Sequence, residues 1–152
     1  LDKETGKYEI LDLINVAESG TIMHPKGMEN QLVGGAVWGI GLSGYERHLY
    51  DPQNGMPAST GYWQSKVPTY LDTPVKIGTG WVDLPDPENP VGARGVGEPA
   101  QGSVSAALTA AITDALDGHI FGASPITADM IINHVAGTSE DSVPLAQNNF
   151  RG

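Results

Sequence analysis

The chain has 152 residues, with 8 basic and 18 acidic side chains and a formal net charge of −10. This length suits one domain with a buried core, and the acidic balance disfavours nucleic acid or an anionic membrane surface as a partner. The sequence contains no cysteine, which excludes disulfides, a thiolate nucleophile and protein-ligated iron–sulfur clusters within it.

An apolar run over residues 7–16 predicts a buried strand near the beginning of the chain. Residues 17–25 follow as a connecting loop, and the apolar spacing over residues 31–45 predicts a helix. Five glycines fall inside that helix, namely Gly34, Gly35, Gly39, Gly41 and Gly44. Because each glycine costs a helix about 1 kcal/mol relative to alanine, we expect another backbone or a bulky ligand to approach this helix closely.

The second half of the chain predicts one further strand and two helices. Residues 62–70 are expected to be extended, residues 75–82 form the strand, and the stretch 84–97 is too rich in proline and glycine for a regular element. Pro99 and Gly118 suit the two ends of a helix whose apolar residues repeat at helical spacing. That repeat comprises Val104, Ala107, Leu108, Ala111, Ile112, Ala115 and Leu116. A shorter helix is expected to begin after Thr127 and to end at Gly137.

Strands and helices occur in separate blocks, which predicts an α+β fold rather than alternating β-α-β units. We expect residues 1–137 to form one segment of a domain and residues 138–152 to form a polar C-terminal tail. No basic and apolar leader is visible, which favours the cytoplasm and leaves the periplasm open. The chain opens in a turn, so we expect a piece of a longer polypeptide or one subunit of a divided one.

The stretch from Gly92 to Pro99 is the strongest candidate for a functional loop. It brings a carboxylate to the point where a glycine-rich loop enters the strongest predicted helix. Glycines let backbone N–H groups approach a ligand closely, and Glu98 beside an apolar pocket is a candidate general base. The residues alone leave an alternative open, in which Glu98 is a helix-end acid and Arg94 is its surface partner.

Other constellations in the sequence give weaker signals. The histidines show no metal-ligand spacing, so no metal site built from side chains is predicted from His24, His48, His119 and His134. The glycines of the first helix, taken alone, favour tight helix packing over proximity to a cofactor. Asp86 and Glu88 could each pair with Glu98 as glycosidase carboxylates, but nothing in their spacing supports that chemistry.

Three stretches stand in a specific order along the chain. Residues 31–41 read QLVGGAVWGIG, residues 50–55 and the segments 66–69 and 72–74 follow, and residues 95–99 read Gly-Val-Gly-Glu-Pro. Together they resemble the glycine-rich helix, the loop with its proline–threonine stretch, and the glutamate signature of the molybdenum hydroxylase large subunit. This is the family of xanthine dehydrogenase and aldehyde oxidase, and the resemblance covers about residues 7–137.

The resemblance implies that the chain is the C-terminal part of the molybdopterin-binding subunit of that family. Glu98 then matches the catalytic glutamate, and Gln31 matches the glutamine that hydrogen-bonds the molybdenum cofactor. Gly95, Val96 and Gly97 would line the open side of the metal, and the glycine-rich helix would lie against the pterin. The implied reaction is hydroxylation of an aldehyde or an N-heterocycle with oxygen from water, with Glu98 as the base.

The resemblance also implies a cofactor and partners. The cofactor would be molybdenum–molybdopterin, with the cytosine dinucleotide form as one variant, while iron–sulfur clusters and FAD would belong to partner chains only. The N-terminal part of the molybdopterin subunit and a small-molecule substrate would complete the site.

Departures from the family pattern occur at His24, Trp38 and Arg94, where Asn, Gln and Lys are frequent. The alternative function is a non-catalytic remnant that acts as an interaction module, against which the retained Glu98 argues.

Overall fold

A computed structural model describes residues 1–138 as a small sheet covered on one face by helices. The elements, in chain order, are β1 (Leu13–Glu18), α1 (Pro25–Gly44), α2 (Tyr62–Ser65), a 3-10 turn (Tyr70–Asp72), β2 (Ile77–Val82), α3 (Pro99–Ala115) and α4 (Ala128–Ala136). This mixture confirms the predicted α+β class. The predicted polar tail lies outside the described residues, apart from Thr138.

The two strands pair in parallel, with Leu13 opposite Ile77 and Glu18 opposite Val82. Side chains alternate across a strand, so one face of β1 is turned to the helices and the other is turned away. Leu13 packs against the main apolar cluster, whereas Ile14 and Val16 are 73% and 57% exposed. The sheet therefore has one covered face and one apolar face that the described residues leave open.

The strand predicted at residues 75–82 is confirmed by β2, whereas the strand predicted at residues 7–16 is displaced toward the C-terminus. Pairing with β2 begins only at Leu13. Tyr8 and Ile10 lie outside the strand, yet they still pack against the core. The predicted burial of the apolar run is therefore only partly correct, since Leu11, Ile14 and Val16 are 78%, 73% and 57% exposed.

Helix α1 begins six residues before the predicted start at residue 31, because residues 24–27 form a helix start that the apolar spacing did not reveal. His24 is the N-cap, and its Nδ1 accepts a hydrogen bond from the N–H of Gly27 at 2.6 Å. Pro25 occupies the first helical position, where its missing N–H costs nothing. The helix then runs from Pro25 to Gly44 without interruption.

The glycines of α1 allow α3 to approach, which corrects part of the expectation that they lie against a pterin. A Cβ at Gly35 would lie 2.6 Å from the Cβ of Ala100, and one at Gly39 would lie 2.5 Å from the carbonyl oxygen of Gln101. Real Cβ atoms do not approach other atoms so closely, so these two positions face α3. Gly34 differs, since a Cβ there would meet no atom of the described residues within 4 Å.

Helices α3 and α4 confirm their predicted starts, and α4 confirms its predicted end at Gly137. Helix α3 ends at Ala115 with Leu116 as its C-cap, two residues before the predicted Gly118. Together with α1, these helices enclose the core. Helix α3 starts at Pro99, and Gly118, with φ +91°, follows its end. Helix α4 follows Thr127 and ends before Gly137. The main apolar cluster comprises Ala36, Ile40, Val104, Leu108, Ile112, Leu116, Phe121, Ile126 and Ile131.

The extended conformation predicted for residues 62–70 is wrong. The chain forms the short helix α2, passes through Lys66 in the left-handed region at φ 64°, and then makes a 3-10 turn. Asp72 caps that turn, because its carboxylate accepts hydrogen bonds from the N–H and the hydroxyl of Thr69, both at 2.7 Å. Local side-chain capping of this kind outweighs the apolar pattern.

No helix among the described residues is long and apolar enough to cross a bilayer.

Candidate functional site

The loop that precedes α3 is held against the segment that follows β1. The N–H of Thr21 donates to the carbonyl of Gly92 at 2.7 Å, and the N–H of Arg94 donates to the carbonyl of Ser19 at 2.8 Å. Gly20 lies between them with φ +66°, and a Cβ there would lie 2.1 Å from the carbonyl oxygen of Gly92. Only glycine permits this approach, so the pairing fixes the position at which the loop starts.

Arg94 joins this loop to two acidic side chains. Its Nε donates to Oδ2 of Asp86 at 2.8 Å, and its Nη1 donates to Oε2 of Glu18 at 2.6 Å. The other carboxylate oxygen of Glu18 accepts the N–H of Gly20 at 2.7 Å. The hydrogen bond from Arg94, supported by one from the N–H of Glu88, holds the pKa of the Asp86 carboxyl below its usual range. We call Glu18, Arg94 and Asp86 the clamp.

The middle of the loop meets the start of α1. Val96 packs against a small apolar cluster formed by Met28, Leu32 and Ala100. Val96, Arg94 and Gln31 line one cleft of about 320 Å³. A Cβ at Gly97 would lie 4.0 Å from Oε1 of Gln31. The structure therefore brings together three of the predicted site residues, Gln31, Val96 and Gly97.

Glu98 is the N-cap residue of α3 and is exposed at the end of this loop. Its backbone carbonyl accepts the N–H of Gln101 at 3.1 Å, while its carboxylate makes no capping hydrogen bond. The alternative in which Arg94 is its ion-pair partner is wrong, because Arg94 is engaged by the clamp. Glu98 is not among the side chains that line the cleft, so the described residues leave its carboxylate open.

The structure also describes the surroundings of Gly95 and Asp86. Gly95 is exposed, and a Cβ there would meet no atom of the described residues within 4 Å, so its backbone is accessible. Asp86 is bound to Arg94, which makes it unsuited to the second catalytic role of a glycosidase. Within residues 1–138, no group of three or more histidine, aspartate or glutamate side chains is placed to hold a metal ion.

The cleft offers the donor set of a site for an organic cofactor. Ser19 is only 3% exposed, it lines the cleft, and its hydroxyl has no hydrogen-bond partner among the described residues. A buried hydroxyl without a partner is costly, and a bound group with a polar edge would satisfy it. The amide of Gln31 and the open backbone at Gly95 are suited to hydrogen bonds rather than to metal ligation. The residues present therefore fit a pterin cofactor held by hydrogen bonds.

Asn15 holds together the two helices that carry Gln31 and Glu98, and the sequence patterns did not reveal it. It is 2% exposed, and its Nδ2 donates to the carbonyls of Leu32 at 2.9 Å and Ala100 at 3.0 Å. One side chain on β1 thus ties α1 to the first turn of α3. The signal was a single amide within an apolar strand, where a buried polar group requires partners.

These features define the class of this chain as a segment of a cofactor-binding domain of α+β type. A family model described as the molybdopterin cofactor-binding domain matches residues 1–74. That match includes β1, α1 and Gln31, and it ends before the loop that carries Glu98.

Comparisons with known proteins show which family this chain resembles. The chain is 33% identical over 141 residues to the 6-hydroxypseudooxynicotine dehydrogenase complex subunit gamma of Paenarthrobacter nicotinovorans, covering 92% of this chain and 18% of that protein. It is 30% identical over 133 residues to a putative xanthine dehydrogenase molybdenum-binding subunit of Escherichia coli K12, covering 86% of this chain and 17% of that protein. Among solved structures, quinoline 2-oxidoreductase from Pseudomonas putida 86 matches with a TM-score of 0.74 and 32% identity, over 83% of this chain and 16% of that one.

The chain is therefore similar, over most of its length, to one segment of the molybdopterin-binding large subunit of the molybdenum hydroxylase family. Aldehyde oxidoreductase from Desulfovibrio gigas has the same fold over 90% of this chain, with a TM-score of 0.76 and 26% identity. The chain spans between 14% and 18% of the length of these four relatives.

Proposed function

We propose that this chain supplies the catalytic base, Glu98, and part of the cofactor-binding wall of a molybdenum hydroxylase. The observation that carries the proposal is the docking of residues 92–99, which we call the signature loop. It places Val96 and Gly97 beside Gln31, while the carboxylate of Glu98, directly after them, makes no capping hydrogen bond. An open carboxylate next to a cofactor cleft is arranged to accept a proton rather than to stabilise the fold.

The residues that would hold the cofactor lie in the cleft or directly beside it. Within the cleft, Gln31 offers an amide and Ser19 a buried hydroxyl, and the backbone from Gly95 to Gly97, which adjoins the cleft at Val96, offers N–H groups. When bound, a molybdenum cofactor supplies two-electron redox chemistry that no amino acid side chain can perform. We propose the cytosine dinucleotide form as the variant to test first.

Glu98 acts in this proposal as the group that takes the proton from the water-derived oxygen. Its backbone is fixed as the N-cap of α3, and its carbonyl is bonded to Gln101. The carboxylate therefore emerges where the loop joins α3, so the helix end and the course of the loop together limit the positions it can occupy relative to a substrate. The names of the relatives include a xanthine, an aldehyde and a quinoline enzyme, so we propose an aldehyde or an N-heterocycle as the substrate.

Partner chains are required for the rest of the reaction. The chain has no cysteine, so iron–sulfur clusters belong to a partner, and we assign FAD to a partner as well. The remainder of the large subunit is the first partner, since the relatives are more than five times as long. We propose that residues 1–137 form one unit of its domain and that the rest of the subunit covers the open face of the sheet.

The test is Glu98→Gln in the assembled enzyme. This variant keeps the volume of the side chain and removes its basicity, so we expect the metal centre to be reduced by substrate roughly 100- to 10,000-fold more slowly. Molybdenum content should stay at the wild-type value. The measurement is single-turnover reduction of the molybdenum centre, followed by its absorbance.

Glu88→Gln is the matched control, because Glu88 is an exposed glutamate of the same loop region. We expect its reduction rate to equal that of the wild type. A rate within tenfold of wild type in Glu98→Gln, with full molybdenum content, would remove the proposed base. A folded complex that contains no molybdenum would instead favour the non-catalytic alternative.

A further inference from the structure

The clamp ties the signature loop to the end of β1 through two nitrogens of one guanidinium group. Arg94 bonds Asp86 through Nε and Glu18 through Nη1. Glu18 uses its second oxygen on the N–H of Gly20, and Asp86 uses its second oxygen on the N–H of Glu88. Both carboxylates of the clamp thus also hold backbone, so the effect of the clamp reaches beyond the ion pairs themselves.

The charges alone are too exposed to explain the clamp as a stabilising device. The side chains of Arg94, Glu18 and Asp86 are 49%, 33% and 16% exposed, and ion pairs in which the cation reaches solvent add little to stability. The geometry serves a different purpose, since a planar guanidinium that bonds two carboxylates at once fixes direction as well as distance. The clamp reinforces the register of residues 92–94 against residues 18–20, which the backbone hydrogen bonds of Thr21 and Arg94 also hold.

The position of Glu98 depends on that register. Between Arg94 and the N-terminus of α3, a Cβ at Gly95 would meet no atom of the described residues within 4 Å, and Val96 packs against the small apolar cluster. When the clamp is lost, the backbone hydrogen bonds at residues 92–94 and the packing of Val96 must hold the loop alone, so its course is less firmly fixed. Gly97 and Glu98 follow directly, so a shift at Arg94 reaches the carboxylate within four residues.

We infer that Arg94 is a positioning residue of the proposed site, which holds the loop so that Glu98 and Gln31 keep a productive separation. The inference rests on the proposed role of Glu98 as the base. Glu18 and Asp86 do not line the cleft. The inference therefore assigns them an effect on the site that passes through Arg94, to which both are bonded. It also assigns a purpose to three charged side chains that the reaction itself does not use.

The experiment uses Arg94→Met, Arg94→Lys and Glu98→Gln, singly and as the Arg94→Met/Glu98→Gln double variant, in the assembled enzyme. We expect Arg94→Met to slow single-turnover reduction roughly 10- to 100-fold, the loss that a small misplacement of a catalytic group produces. Arg94→Lys should restore part of the rate, since one ammonium can serve only one carboxylate at a time. Molybdenum content should remain at the wild-type value in all variants.

Two readouts separate positioning from a merely structural role. Hydrogen exchange of the amides at Thr21 and Arg94 should become about tenfold faster or more in Arg94→Met, while exchange in the middle of α3 stays unchanged. If Arg94 acts through Glu98, the double variant should be as slow as Glu98→Gln alone, to within about a factor of two. The control is Arg47→Met, which removes an arginine of another ion pair, with Asp129, and should change neither readout.

The outcomes that overturn the inference differ from those that overturn the proposed base. Unchanged exchange at Thr21 and Arg94, a loosened loop with a wild-type rate, or losses that simply add in the double variant would each refute positioning by Arg94. A near-wild-type rate in Glu98→Gln refutes the base, and the exchange measurement in Arg94→Met still shows whether the clamp holds the loop.

Discussion

At the scale of single residues, Tyr8 shows how a buried group without a partner makes the fold sensitive to pH. Its hydroxyl is buried and has no hydrogen-bond partner among the described residues. Burial, with a smaller contribution from Tyr45, raises the pKa of Tyr8 to about 12 from 10.0. The folded chain therefore keeps a proton that the unfolded chain loses first, so stability is fully present below pH 10.0 and falls as pH rises toward 12.

We predict that Tyr8→Phe removes this alkaline loss. Phenylalanine keeps the ring in the core and has no proton to release, so the variant should lose less stability than the wild type between pH 10.0 and about 12. The measurement is thermal unfolding of the assembled subunit across that interval. Tyr62→Phe is the control, since Tyr62 is 87% exposed, and it should follow the wild type. Identical alkaline profiles for Tyr8→Phe and the wild type would contradict the assignment.

The polar residues that organise the site were only partly predictable. Gln31 and Glu98 were found because they lie in recognisable motifs, and the structure places the segments that carry them side by side. Asn15, Glu18 and Ser19 were not found, because their roles depend on partners up to 85 positions away in the chain. Spacing along the sequence carries no information about which carboxylate Arg94 will meet, and its expected partner was in fact the wrong one.

At the scale of secondary structure, the contact between α1 and α3 is set by glycines. Gly39 faces α3, where a Cβ would lie 2.5 Å from the carbonyl oxygen of Gln101 and 2.8 Å from Cβ of Val104. Gly34 lies on the exposed side of the same helix. The two positions therefore form a natural pair for comparison.

We predict opposite effects for the same substitution at these positions. Gly39→Ala should destabilise the subunit by about 1–3 kcal/mol, because the added methyl forces α1 and α3 apart. Gly34→Ala should be neutral or stabilising by up to about 1 kcal/mol, because alanine favours the helix. Denaturant unfolding of the assembled subunit compares the two. A Gly39→Ala variant as stable as wild type would mean that the helices can separate without cost.

The elements that were predicted well are those whose signals are local. Helix α4 ends at Gly137, Gly118 follows shortly after the end of α3, and the two helices begin at Pro99 and after Thr127. These signals are carried by adjacent residues. The strand before α1 was displaced because its limits depend on where β2 pairs with it. The helix start at His24 was missed since a histidine seldom serves as an N-cap. The glycines of α1 predicted a close approach to this helix, but they did not indicate that the approaching element is α3.

At the scale of the whole chain, the sheet is incomplete in isolation. It has two strands within the described residues, fewer than an independent sheet needs. Its outer face presents Ile14, Val16 and Val82, all more than half exposed. An apolar surface with open strand edges promotes association, even though a net charge of −10 repels one copy of the chain from another.

We predict that the chain produced alone self-associates through this face. Size-exclusion chromatography should show oligomers or aggregates, and Val16→Lys should raise the monomer fraction by placing a charge on the exposed face. Gln53→Lys is the control, because Gln53 is exposed on a loop away from the sheet. Both variants make the net charge less negative, so repulsion between copies weakens equally in each. A gain of monomer in Val16→Lys alone must then come from the sheet face, whereas a wild-type chain that elutes as a single monomer and melts cooperatively would show that this face needs no cover.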